Sequence, residues 1–320
     1  MTASTDSPRG TLHYEVNPRQ NHNHNHNQDN TNDTPENQPT KIPLRIAILL
    51  NSYRSPHISS IRDSYTRCFA SLTQSPTCRF QPALSFFYPA DNFYCCPQEF
   101  LPDPAEFDLI VIGGGNADPR KRHAWILRVH EFVRQTRKEW PKKKMVGVCW
   151  GHQTLGLVMG GGEVGEMRLP ELGVTDSKLT PAGLRFFNDR GPPSTAGGKA
   201  EEKKSSLRLH QHHRRQLVST PPNFYQLLAN NECLLSHDNS VLTFQGHPEK
   251  DAKAAKLKIR DAARWWGWDL NDPKAMEEVK GLMEREHDGN WVWERVLEWV
   301  WEGLREEGEG DKGNELEWKL

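Results

Sequence analysis

The chain has 320 residues, room for one domain or two, with a formal net charge of −1 and 35% hydrophobic residues. That balance excludes bulk electrostatic attraction to nucleic acid, and no apolar run reaches the length of a membrane span. The low apolar content points to polar appendages around one packed body.

Residues 1–40 are rich in Asn, Asp, Pro and Thr and nearly devoid of large apolar groups, the composition of a disordered tail. His22, His24 and His26 alternate with Asn there. Imidazoles so spaced can bind a transition metal weakly, but a solvated tract is the plainer reading, and no metal is assigned. Ordered structure is expected from residue 41. Residues 44–50 read as an apolar strand, 60–72 as a helix, 83–88 as a second strand and 108–112 as a third, running into Gly113-Gly114-Gly115-Asn116. Trp125, Ile126, Val129, Phe132 and Val133 then share one stripe of a helix. Residues 145–148 form a fourth strand, with a helix expected from Gln153 onward.

A Gly-, Pro- and Lys-rich stretch, 188–206, reads as an insertion ahead of a strand over 207–210. Residues 241–245 form another strand, ending in Gly246-His247-Pro248-Glu249, and 251–265 look helical. Strands alternating with helices predict an α/β fold, a parallel-rich central sheet flanked by helices, with sites beyond the strand C-termini. The expected main domain is 41–265, followed by a helical extension over 266–305 and an acidic tail over 306–320. Trp265, Trp266, Trp268, Trp291, Trp293, Trp299 and Trp301 crowd the extension. Trp291, Val292, Val296, Trp299, Val300 and Leu304 follow an approximate helical period suited to packing on the body. An exposed aromatic face that docks a partner is the alternative. The N-terminus lacks a basic-then-apolar leader. The six cysteines (Cys68, Cys78, Cys95, Cys96, Cys149 and Cys233) have no framework spacing. A reducing, cytosolic setting fits both observations.

Three loops at strand ends carry chemistry. Gly147-Val148-Cys149-Trp150-Gly151 fits a nucleophile elbow in which cysteine takes the place of serine. The turn sets the thiol at a helix N-terminus, where free N–H groups and the helix dipole favour thiolate; a buried cysteine beside packing glycines is the bland alternative. His247 at a strand end can serve as the base such a thiol needs, and Glu249, two residues on past a stiffening proline, can orient it. An ordinary surface turn is the alternative there. The glycine loop after Ile112 frees backbone amides that can donate to an oxyanion. A phosphate cradle is the weaker reading, since no Lys-Ser/Thr follows and the spacing is not G-x-G-x-x-G; a structural turn remains open.

Val111-Ile112-Gly113-Gly114-Gly115, then Gly147 to Gln153, then Phe244-Gln245-Gly246-His247-Pro248-Glu249 resemble, in content and order, the class I glutamine amidotransferase family of the triad type. Glu171-Leu172-Gly173-Val174-Thr175 and Leu209-His210-Gln211-His212-His213-Arg214 agree with its stand-alone subgroup, similar to the amidotransferase half of GMP synthase and to γ-glutamyl peptidases. The resemblance covers roughly residues 43 to 265.

The resemblance implies a flavodoxin-like sheet and a hydrolase acting on the γ-glutamyl amide of glutamine or a related compound, without cofactor. Cys149 would be the nucleophile, His247 the base and Glu249 its orienting group. Main-chain N–H groups of Gly115 and Trp150 would form the oxyanion hole, while Gly114 and Gln153 would seat the glutamyl group. Relatives often carry Ser-Gly or a Pro after the glycines, so the extra glycine here implies a loose loop. The chain carries no P-loop and no ATP-pyrophosphatase signature, so ammonia would go to a separate synthetase partner or to none. A binding or regulatory module on the same fold is the reading from another class.

Overall fold

The computed structural model describes residues 12–15, 41–76, 78–90, 101–189, 203–257, 259, 263, 267, 269 and 271–308, the first four as backbone alone. Expectations for the rest of the tails, for 190–202 and for Trp265, Trp266, Trp268, Cys95 and Cys96 lie outside them.

Ten strands are described: β1 (Leu12–Glu15), β2 (Ile42–Asn51), β3 (Phe80–Phe87), β4 (Leu109–Gly115), β5 (Lys144–Val148), β6 (Val164–Lys178), β7 (Ser206–Leu217), β8 (Phe224–Leu228), β9 (Cys233–Ser236) and β10 (Val241–Phe244). Eight of them make one sheet in the order β1-β3-β2-β4-β5-β10-β9-β8. Its middle, from β3 to β10, is parallel. β9 and β8 extend one edge antiparallel, and β1 closes the other antiparallel to β3. β1 falls within the stretch expected to be disordered, where Leu12 and Tyr14 give a short strand pattern opposite Phe86 and Leu84.

Period-two alternation divides the core between the two faces of this sheet. Leu44, Ile46, Ile48 and Leu50 of β2, with Leu109 and Val111 of β4, point to one face. There they meet α1 (Ile58–Gln74), α4 (Pro181–Asn188) and α7 (Gly289–Gly308). Ala47, Leu49, Ile110 and Ile112 point to the other, against α2 (Ala124–Glu139) and α3 (Trp150–Gly160). Both faces are covered, so the strands read as continuous apolar runs.

The expected strand at 83–88 begins earlier, at Phe80, because Pro82 hides its start yet is tolerated there. The helix expected over 251–265 is described as α5 (Ala252–Lys256), with Asp251 accepting from Ala254 N at 2.7 Å as its cap. One helix went unread although it carries a start signal, α4 with Thr180 capping Gly183 N ahead of Pro181, whereas α6 (Pro273–Glu284), with Asp272 capping Lys274 N, falls within the helical extension expected over 266–305. α7 packs its apolar stripe inward: Val292, Trp293, Val296, Leu297, Trp299 and Val300 are buried in the main core. Apart from the sheet, β6 and β7 pair as a long antiparallel ribbon. Leu172 of the ribbon packs with Ala255, Val279 and Met283 of α5 and α6. Among the described residues, no helix is long and apolar enough to cross a membrane.

Candidate active site

β5 ends at Val148 and α3 starts at Trp150, leaving Cys149 as the turn between them, with φ +51° and ψ −99°. A non-glycine residue there is strained by about 1–3 kcal/mol and persists only when its surroundings hold it. They do so here: Cys149 N donates to Phe244 O of β10 at 2.8 Å, and Gln153 N donates to Cys149 O at 3.1 Å. Gly151 lets α3 approach β4 closely, since a Cβ there would stand 1.8 Å from Ile112 O. The thiol is thus set at the N-terminus of a helix whose first turn has no acidic residue.

His247 follows β10, and its N–H donates to His210 O of β7 at 2.8 Å. Its Nδ1 lies 2.7 Å from Glu249 Oε1, both side chains being buried. That contact fixes Nδ1 as the protonated nitrogen of a neutral ring and leaves Nε2 as the acceptor. Gly114 stands beside both motifs: a Cβ on it would lie 3.0 Å from His247 Cε1 and 3.9 Å from Cys149 Cβ. The ends of β4, β5 and β10 therefore bring Gly114, Cys149 and His247 to one point. A cavity of about 300 Å³ opens there, lined also by Gly115 and Gln153.

The base of the glycine loop is held by a side chain. Buried Asn51 donates from Nδ2 to Gly113 O at 3.1 Å and to Leu49 O at 3.2 Å, pinning the end of β4 to β2. Gln153 donates to Arg215 O at 2.7 Å and to Gln245 Oε1 at 3.1 Å, so its amide faces the ribbon side of the cavity. Trp150 turns its ring into the apolar layer against Trp125, 5.3 Å between centroids.

Sequence reasoning assigned no role to the ribbon wall. His212, His213, Arg214 and Arg215 of β7 line the cavity, as do Arg54 and Lys250. A run of five polar residues inside a strand-like stretch (Gln211 to Arg215) was the available signal. Behind the wall, His213 Nε2 meets Gln211 Oε1 at 3.1 Å, and Gln211 Nε2 donates to Glu232 Oε2 at 2.9 Å. Burial pushes the Glu232 carboxyl up to about 7, opposed by nearby His213. Ligand atoms of Glu171, His213 and Glu232 lie within 4.8 Å of one another, but the ring nitrogens of His213 already face Arg215 O and Gln211 Oε1, so the group reads as a hydrogen-bond network. Burial drives His152 and His210 down to about 3, keeping both rings neutral. Below the site, burial and then Glu249 raise the Tyr65 hydroxyl well above its usual range.

Residues 94–262 match the family model described as Glutamine amidotransferase class-I. The chain is 32% identical over 261 residues, 80% of itself and 97% of the relative, to the Glutamine amidotransferase-like protein chyE of Penicillium rubens. It is 28% identical over 163 residues, 50% of itself and 60% of the relative, to Gamma-glutamyl peptidase 2 of Arabidopsis thaliana. In fold it is similar to the crystal structure of a glutamine amidotransferase from Thermotoga maritima, with a TM-score of 0.53 at 16% identity over 80% of this chain and 98% of that one.

Proposed function

The chain belongs to the class I glutamine amidotransferase family, and on that footing we propose that it hydrolyses a γ-glutamyl amide through Cys149, His247 and Glu249. One observation carries the reading: a strained cysteine and a carboxylate-bound histidine converge on one glycine at the floor of a cavity. Cys149 Sγ attacks the γ-carbonyl carbon while His247 Nε2 takes the thiol proton. Main-chain N–H groups of Gly115 and Trp150 hold the oxyanion as it forms. The tetrahedral intermediate collapses, the C–N bond breaks, and His247 returns its proton to the leaving amine. Water then adds to the glutamyl thioester with His247 as base, releasing glutamate and the thiol. Glu249 keeps the imidazole in the required tautomer and stabilises its charged form. Gly114 and Gln153 seat the glutamyl group.

The lining favours an acidic substrate over free glutamine. Among the described lining residues Arg54, Arg214, Arg215 and Lys250 bring basic side chains, of which Arg214 and Arg215 also pair with Glu166 at 3.8 and 2.9 Å, whereas Glu249 is the one carboxylate of the lining and is engaged by His247. Glutamine has no net charge; a γ-glutamyl compound whose leaving amine bears a carboxylate has a negative one and suits this wall. A separate synthetase that takes up ammonia is then not required.

Glutamate release from glutamine and from glutathione, measured side by side with Cys149→Ala as blank, tests the proposal. Release from glutathione in excess of glutamine, lost in the variant, is the expected result. Preference for glutamine would point instead to a synthetase partner. Turnover retained by Cys149→Ala would end the Cys149 mechanism, and silence on both substrates, with no selective labelling of Cys149 by a glutamine-like diazoketone, would favour a binding module.

A further inference from the structure

We propose that residues 287–290, the elbow that opens the C-terminal helix α7, are a positioning element for the turn carrying His247 and Glu249. The inference rests on the reading of those two residues as base and orienter.

The turn His247-Pro248-Glu249 is short, and its two side chains must meet at 2.7 Å. Pro248 stiffens those three residues, and what packs behind them holds the turn in place. α1 supplies part: Ser64 Oγ donates to Glu249 O at 2.7 Å, and Cys68 Sγ lies 3.9 Å from Pro248 O. The elbow supplies the rest. Gly289 is pressed so closely on the turn that a Cβ on it would stand 2.2 Å from Pro248 O. Asn290 Oδ1 lies 3.5 Å from the same Cys68 sulfur, and its Nδ2 donates to Ser71 Oγ at 3.1 Å. The ring of His287 packs on that of His210, 4.8 Å between centroids, and His210 is the residue whose carbonyl receives the His247 N–H.

The elbow is itself anchored. Asp288 N donates to Arg208 O at 2.8 Å, Arg208 N donates to Asp288 Oδ2 at 2.7 Å, and Lys204 Nζ pairs with Asp288 Oδ1 at 2.9 Å. One residue thus ties the start of α7 to β7, the strand that also holds His247. Beyond it, Trp293 packs edge-on to Tyr65 and against Phe69 of α1. The turn is gripped between α1 and α7 on one side and β7 on the other. A helix lying outside the three sequence motifs therefore sets the aim of two of their residues.

The test uses the full chain and a γ-glutamyl substrate that Cys149→Ala leaves uncleaved. Gly289→Ala puts a methyl into Pro248 O and should displace the turn by about 1 Å. The expected result is kcat lower by roughly 10²-fold, as for small misplacements of reacting groups, with KM changed much less because the β7 wall and the glycine loop stay in place. The pH profile of Cys149 alkylation by iodoacetamide should move upward, toward that of a thiol without a paired imidazole. Trp299→Phe is the control. It loosens the middle of α7, away from the elbow, where Trp299 Nε1 donates to Asn239 Oδ1 at 2.7 Å, and should lower stability while leaving kcat and the alkylation profile in place. If Gly289→Ala does not fold, Asn290→Ala removes the polar contacts without adding bulk and should lower kcat by roughly tenfold, less than a full misplacement costs, while Asn290→Asp keeps a partial grip and restores part of it. A Gly289→Ala protein with lowered melting temperature but unchanged kcat and profile would overturn the proposal. So would a Trp299→Phe protein that moves both equally. Turnover surviving in Cys149→Ala would instead remove the reading of the site on which the proposal stands.

Discussion

Strands β4 and β7 are both buried over much of their length, yet they carry opposite chemistry. In β4, Leu109, Ile110, Val111 and Ile112 are all fully buried, and each side chain enters one of two apolar layers. In β7, His210, Gln211, His212 and His213 are buried almost as deeply. Hydrocarbon in a core stabilises the fold whatever the protein does. A buried imidazole or amide costs free energy unless it is hydrogen-bonded, and repays that cost mainly by orienting something. β4 brings the glycine loop to the cavity as scaffold, whereas β7 is itself the cavity wall and holds His247 through His210 O. The difference teaches that depth of burial alone does not separate framework from site; the polarity of what is buried does.

That contrast can be broken or sharpened by substitution. The largest effect is expected at the turn β7 holds. Glu249→Gln keeps the volume but offers an amide to His247 Nδ1, so kcat should fall by about 10³–10⁴-fold, with thermal unfolding little changed; a loss below tenfold would contradict the orienting role. On the apolar side, Ile110→Ala should cost about 2–5 kcal/mol of stability in urea unfolding and leave kcat per folded molecule unaltered. If kcat fell in step, β4 would be more than scaffold.

The smallest effect concerns the network behind the wall and is a matter of pH. The Glu232 carboxyl is raised from 4.5 to about 7 chiefly by burial. The native carboxyl keeps its proton where the unfolded one has released it. Its stabilising contribution is therefore fully present below pH 4.5 and is lost as pH rises through about 7. Glu232→Gln cannot titrate, so the wild type should lose up to roughly 3 kcal/mol relative to the variant between those limits. His152 and His210 act in the opposite sense over part of the same range, which is why the difference between the two proteins, and not either curve alone, is the quantity to measure.

Local signals made much of this molecule legible before its structure. The runs around Ile46, Ile110 and Val146 announce buried parallel strands because every second residue serves a different face and both faces are dry. The glycines around Cys149 announce the elbow because only a residue without a side chain fits where α3 touches β4. Other features could not be read locally. Strand order depends on crossovers, and nothing in Val241 to Phe244 says that it pairs with Met145 to Val148. The long β6–β7 ribbon hides behind Pro170 and a register shift between Glu166 and Glu171. The wall residues Arg214 and Arg215 look like ordinary surface charge until the ribbon folds over the cavity. Asn51, which pins the glycine loop, acts across 62 residues of chain and has no sequence signature at all.

The 1.8 Å gap at Gly151 also governs how this protein can diverge. No other residue can enter there without prising α3 from β4, so the turn after Cys149 leaves little room for substitution. The rim has no such restriction. Arg54 and Arg214 are exposed side chains at the mouth, where exchange of one residue leaves the sheet untouched. Substitutions meant to change what the cavity admits therefore belong at the mouth, with the floor left as it is.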